Sequence, residues 1–180
     1  MDKRFVVGLA LMTVLLASAC TSVPGMGLDQ SKVAKPVASK LAADSRNAVF
    51  SLEAHFGEPA DAKTLVLNLI EVRAAAPTDL WRGLFQSAEA LNAAGIKFDR
   101  VVLARRDSPV FVLSGADFAI LGEEFGSGQN PVYLLRTLPE KLQRPDGQQA
   151  FQTWEGGLLG VATKQMEDVS TAATEWAQHE

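Results

Sequence analysis

Three side chains in this 180-residue chain have the chemistry of a soft metal ligand or of a proton carrier near neutral pH: Cys20, His55 and His179. A transition-metal site draws chiefly on thiolate and imidazole, and these three do not cluster in sequence. His179 is penultimate, where chains fray, and no metal or other cofactor is expected. A Ser-His-Asp arrangement has to use His55, which alternates with the apolar Ala54 and Phe56 and so faces solvent on a strand. No Gly-x-Ser-x-Gly elbow occurs, and Gly126-Ser127-Gly128 builds neither that elbow nor a phosphate loop. Glu123-Glu124 are paired carboxylates in sequence only, because helix neighbours diverge by about 100°. Arg105-Arg106 could meet phosphate or lipid head groups, and otherwise reads as a charged hairpin edge that resists aggregation. The most unusual stretch is Gly126 to Leu138, which places Asn130, Arg136 and the only tyrosine, Tyr133, after a glycine loop. Loops on a rigid scaffold often carry function, so Asn130, Tyr133 and Arg136 are the candidate functional loop, against a structural connection whose Val132, Leu134, Leu135 and Leu138 enter the core.

The chemistry of Cys20 is set by what precedes it. Met-Asp-Lys-Arg leads into an almost unbroken apolar run from Phe5 to Leu16, followed by Ala17-Ser18-Ala19-Cys20. A basic start, an apolar core of about a dozen residues and small residues at the end define a secretory signal. The run is shorter than the roughly 20 residues of a membrane-spanning helix. A retained anchor, or a cleaved signal with a chance cysteine, are the alternatives. The pattern resembles the lipobox of bacterial lipoproteins, with Ala17 at the position where that family usually has leucine. The resemblance implies removal of residues 1–19, acylation of Cys20 and anchoring in the cell envelope. Thr21 takes the place where an aspartate would imply inner-membrane retention, which implies the outer membrane, facing the periplasm.

Each buried acyl methylene contributes about 0.8 kcal/mol, so two or more chains make anchoring stable. A cysteine consumed in this way leaves none for a disulfide, and the domain must rely on an ordinary core. Loss of Asp2, Lys3 and Arg4 takes the chain from 17 Lys+Arg and 21 Asp+Glu to 15 and 20, a formal charge of −5. That mild acidity excludes the basic footprint of a nucleic-acid binder. The membrane, through acylated Cys20, and an envelope protein are the expected partners. About 160 residues suit one domain.

Residues 20–30, with Pro24, Gly25 and Gly27, read as a flexible tether, and 31–180 as one globular domain. A first helix over Ser31 to Ser45 carries Val33, Val37 and Leu41, with Pro36 awkward inside it or marking its first turn. Phe50, Leu52, Ala54 and Phe56 alternate as a strand, with a helix over 46–56 as the alternative. Gly57 to Asp61 turns into Thr64 to Val72, apolar on both faces and therefore central. Thr78 is expected to cap a helix that Gly95 ends. Strands follow at Arg100 to Ala104 and Val110 to Leu113, joined by a turn at Asp107-Ser108-Pro109. A short helix starts at Ser114 or Asp117, Asn130 to Leu142 reads as helical until interrupted near Pro139, and Trp154 is expected to plug the core, with a hinge at Trp154-Glu155-Gly156-Gly157 as the alternative. The last helix, Leu158 to Ala177, has a seam of Leu158, Ala162, Met166, Val169, Ala173 and Trp176. Its other face carries Lys164, Gln165, Glu167, Asp168, Thr171 and Glu175. The order predicts an α+β fold: one two-layer domain with a mainly antiparallel sheet of about four strands covered by helices on one side and a long C-terminal amphipathic helix. Such a sandwich hosts many functions. The expected role is a non-catalytic interaction or binding module. A hydrolase with a scattered Ser/Asp/Arg site, or a carrier of a small apolar ligand, is the alternative.

Overall fold

A computed structural model describes residues 28–57 and 61–180. Cys20 and the segment expected to be a signal lie outside the described residues. Helix α1 (Ser31–Ala42) leads through a 3-10 turn (Ser45–Val49) into strands β1 (Phe50–Gly57) and β2 (Asp61–Val72). Helix α2 (Pro77–Ala93), strands β3 (Arg100–Arg105) and β4 (Ser108–Ser114), and helices α3 (Gly115–Gly126) and α4 (Pro131–Thr137) follow. A second 3-10 turn (Pro139–Lys141) and helix α5 (Leu158–Gln178) end the domain. This is one α+β domain.

The four strands form one sheet in the order β1-β2-β3-β4. The β1–β2 and β3–β4 pairs are antiparallel, whereas β2–β3 is parallel and needs α2 as its crossover. The sheet is therefore mixed, with β2 and β3 central. The period of two decides which side chains go inward. Phe50, Leu52, Ala54 and Phe56 of β1 join Leu65, Leu67 and Leu69 of β2, Val101 and Leu103 of β3, and Phe111 and Leu113 of β4 in one apolar cluster. The same cluster takes Val33, Val37 and Leu41 of α1, Leu80 and Leu84 of α2, and Val169, Ala173 and Trp176 of α5, so the helices share one face of the sheet. The opposite face carries a small cluster of Val102, Ala104 and Val112.

Trp81 and Trp176 join the two longest helices at the centre. Their rings stack with centroids 5.5 Å apart. Each indole N–H reaches a backbone carbonyl: Trp81 Nε1 donates to Val169 O at 3.0 Å and Trp176 Nε1 to Ala104 O at 2.8 Å. Buried tryptophan satisfies its polar end in this way.

Several local expectations are revised. Leu28 packs against the core and the Gln30 side chain accepts from Phe56 N, so the domain includes the end of the segment expected to be a tether. Pro36 stands inside α1, which continues past it to Ala42. Ala76, not Thr78, precedes α2. Pro77 presets the first helical φ, and the Asp79 carboxylate accepts from Ala76 N at 2.8 Å. The β3–β4 turn falls on Arg106 and Asp107, both at positive φ, earlier than the Asp107-Ser108-Pro109 turn read from sequence. Asn68 on β2 holds that turn, donating to Asp107 Oδ1 and accepting from Asp107 N at 3.0 Å. Asn and Asp tolerate the left-handed region better than most residues, and here Asn68 supplies the remaining support. On α5, Gln165 belongs to the buried side, because α4 and the turn after it pack there. Trp154 is not a core plug: its indole donates to Asp168 Oδ2 at 2.6 Å and lies under Lys164 Nζ at 4.2 Å, on the outside of α5.

Candidate functional site

The stretch Gly126 to Leu138 folds as two successive helix caps. Gly128 N donates to Phe125 O and Gln129 N to Glu124 O, the paired bonds of a glycine stop signal, with Gly128 at φ +82°. Asn130 then opens α4, its side chain accepting from Val132 N at 3.0 Å, with Pro131 in the first helical position. Asn130 is thus held by a capping role. Arg136 is held as well: its Nε donates to Gln165 Oε1 at 2.9 Å, and Gln165 Nε2 donates to Glu140 Oε1 at 3.0 Å. This chain of bonds satisfies the buried Gln165 amide at both ends and fixes α4 against α5. The third residue, Tyr133, is free. Its side chain bonds to no described residue and is 51% exposed, beside Val132 at 53%. Ile120, on the adjoining α3, is 45% exposed. These are the large hydrophobic side chains that stand exposed among the described residues, and they sit on two helices packed against each other.

Two clusters bring together side chains of the kind a reaction centre uses. At the start of α3, Ser114 Oγ donates to Asp117 Oδ2 at 2.5 Å and Lys141 Nζ to Asp117 Oδ1 at 2.7 Å. Burial pushes the Asp117 carboxyl up, but the bonds from Lys141 and Ser114 outweigh it and hold the group below the usual carboxylate range. A carboxylate held in its ionised form is a weak base, and a general base needs proton affinity near the working pH. The serine hydroxyl is also occupied as the helix cap, accepting from Asp117 N at 3.0 Å. The second cluster joins the turn after α1 to α2. Asn47 donates to Leu41 O and Gln86 Oε1, Gln86 donates to Asp44, and Arg82 bridges Asn47 and Asp79. Arg46 and Gln86 hydrogen-bond the Asp44 carboxyl and hold it far below its ordinary range. Every acid in this cluster faces a base or an amide, so it acts as a structural brace.

A cleft of about 680 Å³ lies where α2 ends and α3 begins, lined by Ile96, Phe98, Phe118 and Ala119, with Lys97 and Glu123 among its charged residues. Gly115 lets α3 start there, because a Cβ at that position would stand 1.7 Å from Phe98 O. His55 is elsewhere, on β1 with its ring nitrogen 3.0 Å from Phe56 O. Among the described residues no three His, Cys, Asp or Glu converge as a metal-binding group.

Both sequence readings of Arg105-Arg106, a head-group contact and a charged hairpin edge, need Arg105 exposed. The structure places it on the central strand β3 with 8% of its surface exposed, and only Arg106 projects at the turn. Its partners are backbone carbonyls distant in sequence, which leave no motif to find. Compared with known proteins, the chain matches no family model, no curated protein sequence and no solved structure.

Proposed function

We propose that this chain is a lipid-anchored protein of the cell envelope, held by acylated Cys20 at the periplasmic face of the outer membrane, and that its domain is a non-catalytic module which binds another envelope protein. The observation that carries the binding role is the exposure of Ile120, Val132 and Tyr133 together on α3 and α4. Large exposed apolar side chains on two helices that pack together offer the makings of a partner surface, and tyrosine suits interfaces because it combines a large apolar ring with a hydrogen-bonding tip. The rigid caps at Gly128 and Asn130, and the Arg136–Gln165–Glu140 bonds, support the same reading by fixing the face in advance. The anchoring reading rests on the apolar run that ends at Cys20.

Two experiments test the two halves separately. Intact mass of membrane-extracted protein is expected to show a lipid-modified Cys20 as the first residue; an unmodified full-length chain rejects the anchor. A photo-crosslinking amino acid at position 133, in living cells, is expected to give one discrete heavier adduct that the Val132→Ser and Ile120→Ser changes weaken. The same probe at Thr171 of α5 serves as the control. Equal adducts at both positions, or none at 133, reject the α3–α4 face.

A further inference from the structure

Arg105 is the one arginine of this domain that is both deeply buried and without an acid. Arg46, Arg73, Arg82 and Arg144 each pair with a carboxylate: Asp44, Glu71, Asp79 and Glu175 respectively. Arg105, at 8% exposure, has only carbonyls. Its Nε donates to Ala177 O at 2.9 Å, and its Nη1 donates to Leu69 O at 2.8 Å and to Ile70 O. The Ala177 carbonyl lies in the last turn of α5, where the helix dipole favours a cation. These dipoles orient the guanidinium but do not neutralise it. A buried charge without a counter-ion is costly. Burial and the neighbouring Arg106 both push the group down from its ordinary range, and no acid opposes them. Nη2 bonds to no described residue and, unlike Arg82 Nη2, is not fully enclosed, so it is open to solvent.

Arg105 also lines a pocket of about 310 Å³ between the start of α2 and the end of α5. The rest of the wall is Val72, Ala75, Pro77, Leu80, Ala173 and Ala177, with Thr174 and Gln178 as its neutral polar members. No carboxylate lines it, and the cation is held by three carbonyls before any ligand arrives. We infer that Arg105 and this pocket form a binding site for a small carboxylate with a compact apolar body, the carboxylate meeting Nη2 and the body packing on Val72, Leu80 and Ala177. At about 30 Å³ per water-sized atom the space holds roughly ten non-hydrogen atoms. Charge-assisted bonds to arginine are about twice as strong as neutral ones, so the site selects for an anion. It is separate from the α3–α4 face, and either can fail without the other.

The test uses the full chain in phosphatidylcholine nanodiscs and titrates benzoate, benzyl alcohol and benzylammonium, following the Arg105 Nε–Hε resonance by NMR. Benzoate is expected to shift that resonance saturably, with benzyl alcohol at least about tenfold weaker and benzylammonium inactive. Arg105→Gln is expected to abolish binding, but it also removes the bonds that hold α5. Ala177→Leu is therefore the deciding variant. It fills the pocket, keeps the backbone carbonyl and all Arg105 bonds, and places a good helix former in a helix. It is expected to weaken benzoate at least about tenfold while leaving the free Arg105 resonance in place. Benzoate no tighter than benzyl alcohol, a shift that does not saturate, or unchanged benzoate binding by Ala177→Leu overturns the assignment and leaves Arg105 as a clamp for the end of α5.

Discussion

Replacing Trp176 by alanine is the sharpest test of how α5 is held. The side chain is fully buried, stacks on Trp81 at 5.5 Å and donates to Ala104 O at 2.8 Å. An aromatic side chain of this kind buries about 150–250 Å², which at about 25 cal/mol per Å² is worth about 4–6 kcal/mol. Large-to-small changes at such sites cost about 3–5 kcal/mol, and the carbonyl that loses its donor adds about 1 kcal/mol. The expected loss is therefore about 4–6 kcal/mol, a large part of the 5–15 kcal/mol that typically holds a domain together. Urea denaturation of the full chain, followed by far-ultraviolet circular dichroism, reads this directly. With a slope of about 2 kcal/mol per molar urea, the midpoint falls by about 2–3 M. Trp176→Phe keeps a ring but not the donor and is expected to cost about 1–2 kcal/mol. Met166→Ala, at a half-buried position on the same seam, is expected to cost about 1–2 kcal/mol. Lys164→Ala, on the outside, is expected to cost less than about 1 kcal/mol even with its contact to Trp154 lost. A Trp176→Ala midpoint within about 0.5 M of the parent, or one no lower than that of Met166→Ala, refutes the central role given to this side chain.

Three further outcomes are expected. A Cβ at Gly122 would lie 2.5 Å from the Ala88 carbonyl carbon, so Gly122→Ala should force α2 and α3 apart at a cost of about 1–3 kcal/mol. Gly160→Ala meets open space and should gain about 0.5–1 kcal/mol, and equal effects of the two in thermal unfolding would sink the close-approach argument. Asp44 and Asp117 both have folded values below their ordinary range. Their contribution is complete above an unfolded value of about 4 and is lost as pH falls below it. Asp44→Asn should therefore lower stability at pH 7 and flatten its decline between about pH 4 and 2. An unchanged acid slope in denaturation series would contradict the bonds from Arg46 and Gln86. The double change His55→Gln with His179→Gln should leave stability within about 0.5 kcal/mol and the photo-crosslink at 133 intact; loss of an activity in a variant with normal circular dichroism would make His55 the leading catalytic residue.

The parts of the fold that were legible in the sequence are those in which one face of an element is buried along its length. Alternation in Phe50 to Phe56 gives β1 its inward face, TLVLNLIEV gives a central strand, and Val33, Val37 and Leu41 give the buried stripe of α1. Strand direction was less legible. Clustered strands separated by helices read as mainly antiparallel, and the β2–α2–β3 crossover adds a parallel pair at the centre. An amphipathic helix of this length serves either geometry, so its pattern does not distinguish them. The sequence of α5 puts Gln165 among its polar residues because an amide is usually solvated. Its burial depends on Arg136 and Glu140, brought in by a helix and a turn that the periodicity of α5 does not encode.

The candidate sites divide along the same line. Asn130 and Gly128 stand out in sequence because they break the apolar pattern at fixed positions, and helix termini account for both. In sequence Arg105 is half of an ordinary basic pair. Its two neighbours in the sheet, β2 and β4, leave its backbone no edge, and its side chain runs under the last turn of α5, more than 70 residues later in the chain. Backbone carbonyls are present at every residue and carry no sequence signal, so a cation held only by carbonyls cannot be told from a solvated one before the chain is folded. The same circumstance makes Arg105 chemically distinctive. The paired arginines spend their charge within the fold, as Arg144 does on Glu175. Arg105 keeps a net positive charge at the wall of a pocket that no carboxylate lines, where an anion from outside the chain gains most from meeting it.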